Sequence, residues 1–284
     1  MKKKYQRKTY SFFRHQLIRD LSTGFSFYLC DDSYDDFFAF EPADCRAEKL
    51  FRNLYYQKFS YHIEEIIDRA LSSLLIDGRA YLYIKTEFTK QEKSLDGIDV
   101  PTIAIGELPG VIIKKGWKKT EYYAKRFDGS ISEEKLDKKG LIVLKLEELG
   151  FNKKFFLKRI KKLEKYDIIQ ASDLLTENAT GYDYIKHNNE NNIRILKTTK
   201  GIGWVYSPIE LSDSYNLYKR LQHIKFKIHF LKYVLDKINM ALHGCMGDND
   251  LGVLVAHIKE INYDNVWIDY INGRITPSQL SKLL

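Results

Sequence analysis

Apolar positions along the chain recur with two different periods, and the order of those periods predicts the elements. Between residues 60 and 77, Ile63, Ile66, Ile67, Ala70, Leu71, Leu74 and Leu75 repeat at steps of three and four, the stripe of an amphipathic helix. Glu64 and Glu65 are placed in its first turn by this reading, and Gly78 supplies its left-handed stop. The period then drops to two. Ala80, Leu82 and Ile84 alternate with Tyr81 and Tyr83, as in a strand buried on one face. Further strands are expected around Thr102–Ile105, Val111–Lys115, Thr120–Phe127 and Leu141–Leu146, with Asp128-Gly129 as a turn. Phe25 to Phe40 read as extended around the acidic turn Asp31–Asp36, and Ser132–Lys138 as one or two helical turns. Phe12, Phe13, Leu17, Ile18 and Leu21 predict a helix in residues 1–22, behind a basic arm. Helix returns at 152–165 and 168–178, and the Asn-rich stretch Asn178–Asn192 reads as a loop.

The most distinctive pattern lies between 208 and 243. Ser207-Pro208-Ile209-Glu210 is a capping box with Pro in the first helical position, Tyr206 and Leu211 form its staple, and Gly244 offers a stop. Leu217, Leu221, Ile224, Ile228, Leu231, Leu235, Ile238 and Leu242 alternate in steps of four and three, a coiled-coil-type seam. Tyr215, Phe226, Phe230 and Tyr233 form a second stripe on the opposite side. A helix apolar on two faces is buried between two layers, which belong to its own chain or to a neighbouring subunit. A second capping box, Thr276-Pro277-Ser278-Gln279 with Ile275 and Leu280 as staple, opens a terminal helix over 277–284. The expectation is an α+β protein, with mixed helices, short antiparallel strands and one long C-terminal helix. It divides into an α+β domain over 1–190 and a helical region over 191–284.

Composition adds charge to this picture. The chain has 284 residues, and 46 Lys plus Arg against 38 Asp plus Glu leave a net charge of +8, an excess that favours polyanionic partners. Hydrophobic content of 44% and charged content of 30% fit a globular chain. The 20 Tyr and 16 Phe suit half-buried surfaces, although an AT-rich genome yields the same bias. The odd count of three Cys, without metal-ligand spacing, points to a reducing compartment. No apolar run is long enough to cross a membrane, so a cytoplasmic protein is expected.

The basic residues cluster. Lys153, Lys154, Lys158, Arg159, Lys161, Lys162 and Lys165 decorate one predicted helix, anchored by Phe156, Ile160 and Leu163 and opposed by Glu164 alone. Such a helix suits DNA phosphates or an anionic membrane surface, and is also what an ordinary solvated face looks like. Lys219, Arg220, Lys225, Lys227, Lys232 and Lys237 give the long helix a positive flank, and Lys2, Lys3, Lys4, Arg7 and Lys8 charge the N-terminal arm. Signals for catalysis are weak. The acidic turn lacks the Gly and distal Glu of a calcium loop, and His62 with Glu65 lacks a second His. His243, Cys245 and Asp248 have no second ligand pair, and Lys200-Gly201-Ile202-Gly203 is too short for a nucleotide fingerprint. No catalytic residue, metal ligand or cofactor is assigned.

With Leu74-Leu75-Ile76-Asp77-Gly78-Arg79-Ala80-Tyr81-Leu82-Tyr83-Ile84, then Leu108-Pro109-Gly110-Val111, Tyr122-Tyr123, Asp128-Gly129 and Leu141–Leu146, the segment from Tyr61 to Leu146 resembles part of a tailed-phage portal protein. That resemblance covers roughly a third of the chain. The family's typical His in the later strand is missing, and this chain is shorter and more basic than is usual there. The resemblance implies a non-enzymatic homo-oligomer, a ring around a channel for double-stranded DNA. It also implies phage head or neck proteins as partners, and a place in the virion. Two other expectations stand beside it: a metal-dependent nuclease whose carboxylates converge only in the fold, and a peripheral protein lying on anionic membrane through residues 153–165.

Overall fold

The computed structural model describes residues 12–41, 59–87, 102–162, 213–246 and 252–284. Contacts divide the chain into two units that interleave along the sequence. One comprises Ser22–Phe151 and Phe226–Asn262, and the other Met1–Leu21, Asn152–Lys225 and Tyr263–Leu284. The single boundary expected near residue 190 lies outside the described residues.

The larger unit carries the strands. Helix α1 (Phe12–Ser22) belongs mostly to the other unit, and the short α2 (Phe25–Leu29) and β1 (Phe38–Glu41) follow it. Helix α3 (Phe59–Asp77) buries the expected stripe, with Ile63, Ile67, Ala70, Leu71, Leu74 and Leu75 fully inside. Gly78 ends it at φ 72°, its N–H bonding to the Leu74 carbonyl at 2.8 Å. The chain passes directly into β2 (Arg79–Glu87), whose Ala80, Leu82 and Ile84 face the core while Tyr81 and Tyr83 are half-buried. β2 is the centre of an antiparallel sheet, between β3 (Thr102–Leu108) and β7 (Leu141–Lys145). Gly140, just before β7, donates nothing to packing but permits it: a Cβ there would stand 2.2 Å from the Ile84 carbonyl oxygen. A second antiparallel sheet comprises β4 (Val111–Lys115), β5 (Thr120–Lys125) and β6 (Ile131–Leu136), with a bulge between Tyr123 and Lys125. β1 pairs with β8 (Val253–Ala256), which sequence reasoning did not anticipate.

The other unit is helical where described: α4 (Lys153–Lys162), the first part of α5 (Asp213–Met246), α6 (Tyr263–Ile271) and α7 (Pro277–Leu283). In α7 the capping box forms as expected. The Gln279 N–H donates to Thr276 Oγ1 at 3.2 Å, and the Thr276 N–H donates to Gln279 Oε1 at 2.8 Å. Trp267 of α6 packs against Tyr218 and Tyr270, each pair with ring centroids 5.2 Å apart. The fold is therefore α+β, with short antiparallel strands and a long C-terminal helix of 34 residues, about 51 Å at 1.5 Å per residue.

Several local expectations need correction. Phe25–Leu29 is a helix, not extended chain: Phe25 and Leu29, four apart, are both fully buried, while Phe27 between them is 81% exposed. Ser132–Lys138 is not helical, because residues 131–136 pair with β5 through Tyr122↔Leu136 and Tyr123↔Lys135. Glu64 and Glu65 lie beyond the first turn of α3, since that helix starts at Phe59. Glu64 instead accepts hydrogen bonds from the Ser26 N–H and hydroxyl, both at 2.9 Å. The long helix runs past Gly244 to Met246. The capping box at 207–210, the helix at 168–178, the loop at 178–192 and the N-terminal arm lie outside the described residues.

Candidate nucleic-acid interface

Helix α4 is short, and its sequence works against its own stability. Lys153 and Lys154 sit at the positive end of the helix dipole, where a cation is disfavoured by ~0.3–1 kcal/mol. Lys154, Lys158 and Lys162 then repeat at four-residue spacing, each like-charge pair costing roughly 0.2–0.5 kcal/mol. A helix of 10 residues is marginal on its own, so packing must hold it. Ile160 is buried, Phe156 and Leu157 are half-buried, and the Phe156 N–H bonds to the Asn152 carbonyl at 2.8 Å to close the first turn.

That anchor turns the charge outward. Lys154, Lys158, Lys161 and Lys162 are exposed, and Lys153 and Arg159 are half-buried. None of the five lysines forms an ion pair or hydrogen bond with another described residue. Lys154, Lys158 and Lys162 rise about 6 Å from one to the next along the axis. Among the described residues this is a row of cations without a carboxylate partner, at a spacing comparable to two steps of a DNA strand.

The positive flank expected on the long helix does not exist as such, because most of its cations are consumed inside the protein. Lys227 is completely buried. Its Nζ donates to the Thr23 carbonyl at 2.5 Å and lies 4.3 Å from the centre of the Phe25 ring. Lys219 is also buried, and burial pulls its amine down to about 8 against the opposing pull of Asp20. Lys225 pairs with Asp264 at 2.5 Å, and Lys237 with Glu148 at 2.9 Å. Lys232 remains exposed and Arg220 half-buried.

The packing seam is likewise internal. Leu217, Leu221, Ile224, Leu231, Leu235, Ile238 and Leu242 are buried by the chain itself, and Ile228 is half-buried. On the other side Phe226 and Phe230 are buried, touching Phe151 and Phe25 with ring centroids 5.9 and 6.0 Å apart. The Tyr215 side chain lies outside the described residues. Tyr233 is half-buried, and its hydroxyl accepts the Lys145 N–H at 3.0 Å and donates to Glu148 at 2.9 Å. The hydrogen bond from Lys237, with those from Lys145 and Tyr233, outweighs burial and holds the Glu148 carboxyl down at about 2. Burial, with Glu148 beside it, raises the Tyr233 hydroxyl to about 12. From residue 229 onward the helix keeps one narrow solvent stripe, His229, Lys232, Asp236, Met240 and His243.

Of the other candidates, Lys200-Gly201-Ile202-Gly203 and Asp248 lie outside the described residues. In the acidic turn, Asp31 Oδ1 accepts from the Ser33 N–H at 3.0 Å and its hydroxyl at 2.7 Å, and Asp32 pairs with Lys259 at 3.7 Å. His243 is exposed, and burial raises the Cys245 thiol above its ordinary range. Among the described residues no group of three His, Cys, Asp or Glu is placed to hold a metal ion, and no helix is long and apolar enough to cross a membrane. One exposed cluster escaped sequence reasoning: the β4–β5 turn Lys114-Lys115-Gly116-Trp117-Lys118-Lys119, visible in the sequence as two lysine pairs flanking Gly-Trp.

No family model matches this chain, and no curated protein does.

Proposed function

We propose that this chain is a structural, non-enzymatic phage or prophage protein of the portal type, which meets double-stranded DNA through its phosphates and forms a homo-oligomer in the virion. One observation supports the DNA contact above all others: the exposed lysines of α4 have no carboxylate among the described residues and destabilise the helix that carries them. Cations maintained at such a cost are explained by a polyanion that neutralises them. Contacts to phosphates position a protein without reading base sequence, as a channel for passing DNA requires.

The ring and its head or neck partners rest on the resemblance. The first motif of that resemblance lies where a helix stops at Gly78 and passes straight into a strand. The 217–242 seam does not support the ring, because the chain itself covers it, so subunit contacts in this proposal use other faces.

The test is salt-dependent binding of the full chain to duplex DNA of unrelated sequences. Lysines that neutralise about five phosphates give a log–log salt slope of about −4.5. Replacing Lys154, Lys158 and Lys162 with Gln should reduce that slope by about three, equally on every sequence. Binding that the triple variant leaves unchanged would remove the α4 contact. Duplex cleavage that requires magnesium and stops on chelation would establish the nuclease reading instead.

A further inference from the structure

The β4–β5 hairpin ends in an apex that combines an exposed indole with two pairs of lysines. Every residue from Ile113 to Thr120 is exposed, and Trp117 is 101% exposed. The Gly116 N–H bonds to the Lys119 carbonyl at 2.9 Å, which closes a tight turn and leaves Trp117 and Lys118 at its tip. Lys114 and Lys115 flank the ring on one arm, and Lys118 and Lys119 on the other. Lys114 lies 4.6 Å from the Tyr123 ring, while Lys115, Lys118 and Lys119 have no carboxylate among the described residues. Ile113 on the first arm is 53% exposed.

The partner must supply negative charge and an apolar layer at the same place, and must accept a convex tip. Duplex DNA supplies phosphates but keeps its base faces stacked, so Trp117 would stay uncovered. A single strand is held along a groove by successive rings, and here one ring stands alone on a projection. A small anion needs a concave pocket. An anionic bilayer meets all three requirements: phosphates at the headgroup level, apolar chains just beneath, and a flat surface that a projection can enter. Tryptophan rings favour this interface, and lysines keep their amines at headgroup height while their stems lie along apolar surface.

We propose that the 113–120 hairpin is a membrane-docking element, in which Trp117 enters the boundary between headgroups and acyl chains while Lys114, Lys115, Lys118 and Lys119 meet anionic lipid phosphates. Its residues are distinct from those of α4, so its failure and the failure of the DNA reading are separable.

The test uses the full chain with phosphatidylcholine vesicles, with and without phosphatidylserine. Sedimentation should require phosphatidylserine, and tryptophan emission should shift to the blue on binding. Each lysine near an anionic surface is worth about fivefold in affinity, so the Lys118→Gln, Lys119→Gln double variant should bind roughly 25-fold more weakly. Trp117→Ala should abolish the blue shift, and exposed positions such as these leave folding intact, which circular dichroism verifies. Three results overturn the proposal. The first is no dependence on phosphatidylserine. The second is sedimentation unaffected by Trp117→Ala but lost when Lys154, Lys158 and Lys162 become Gln. The third is quenching of the Trp117 emission by single-stranded DNA without any response to vesicles.

Discussion

Leu231→Ala distinguishes a helix buried in its own chain from one that joins subunits. Leu231 is 0% exposed within a single chain. Truncation removes three carbons from a site with no solvent access, and rigid surroundings collapse only partly into the space. Buried Leu→Ala changes of this kind cost about 3–5 kcal/mol. At about 2–4 °C per kcal/mol for a domain of this size, the midpoint should fall by roughly 6–20 °C. Thermal unfolding followed by circular dichroism measures this, at several protein concentrations, with native mass recorded alongside. Met240→Ala is the control, since Met240 is 71% exposed on the solvent stripe, and its effect should stay within about 0.5 kcal/mol. A midpoint that falls equally at every concentration, without loss of mass, fits an internal core. An unchanged midpoint together with a lower native mass would refute the internal assignment and return the seam to the subunit interface.

Two further predictions concern pH. Burial raises the Asp68 carboxyl to about 7, with Glu64 adding to the shift and Lys227 opposing it, and Asp68 Oδ1 has no hydrogen-bond partner among the described residues. A carboxyl raised on folding penalises the folded state once it ionises, so Asp68→Asn should be more stable than the parent above pH 7. Urea melts should show that gain shrinking as pH falls from about 7 towards 4, and a gain that grows in acid would contradict the assignment. Glu148 has the opposite sign, since its folded value of about 2 lies below the ordinary 4.5. Its contribution is complete above about 4.5 and disappears as pH falls through 2, so Glu148→Gln should destabilise at neutral pH and converge with the parent in acid. Equal destabilisation at all pH values would mean that shape, not charge, anchors Tyr233 and Lys237.

What the sequence disclosed follows from how much one face dominates each element. The stripe from Ile63 to Leu75 is long and single-sided, and the strand after Gly78 alternates cleanly, so both could be read directly. In α2, Phe25, Phe27 and Leu29 alternate with the period of a strand, yet five residues formed one helical turn and Phe27 was left in solvent. β6 was missed because Ser132, Glu133, Glu134 and Lys135 are polar in succession, and only pairing with β5 makes them a strand. The long helix was recognised as two-faced, but not as enclosed on most of its surface. Lys219 and Lys227, which the sequence places on a positive flank, are buried, as is His223 between them. The spacing of charges along a helix fixes which residues share a side, but not what packs against that side. For the candidate site, the α4 cations could be read because basic residues surround a short apolar anchor, whereas the Lys-Lys-Gly-Trp-Lys-Lys turn becomes conspicuous only once Trp117 is known to stand in solvent.

Native mass of the full chain, measured by sedimentation with and without duplex DNA, tests the central claim most directly. A portal-like ring requires a species far heavier than the 33.5 kDa subunit. That species should persist in the Leu231-region core variants that still fold, and should take up duplex of any sequence at low salt and release it at high salt. A species of 33.5 kDa that stays solitary under both conditions and ignores duplex at low salt would contradict the account.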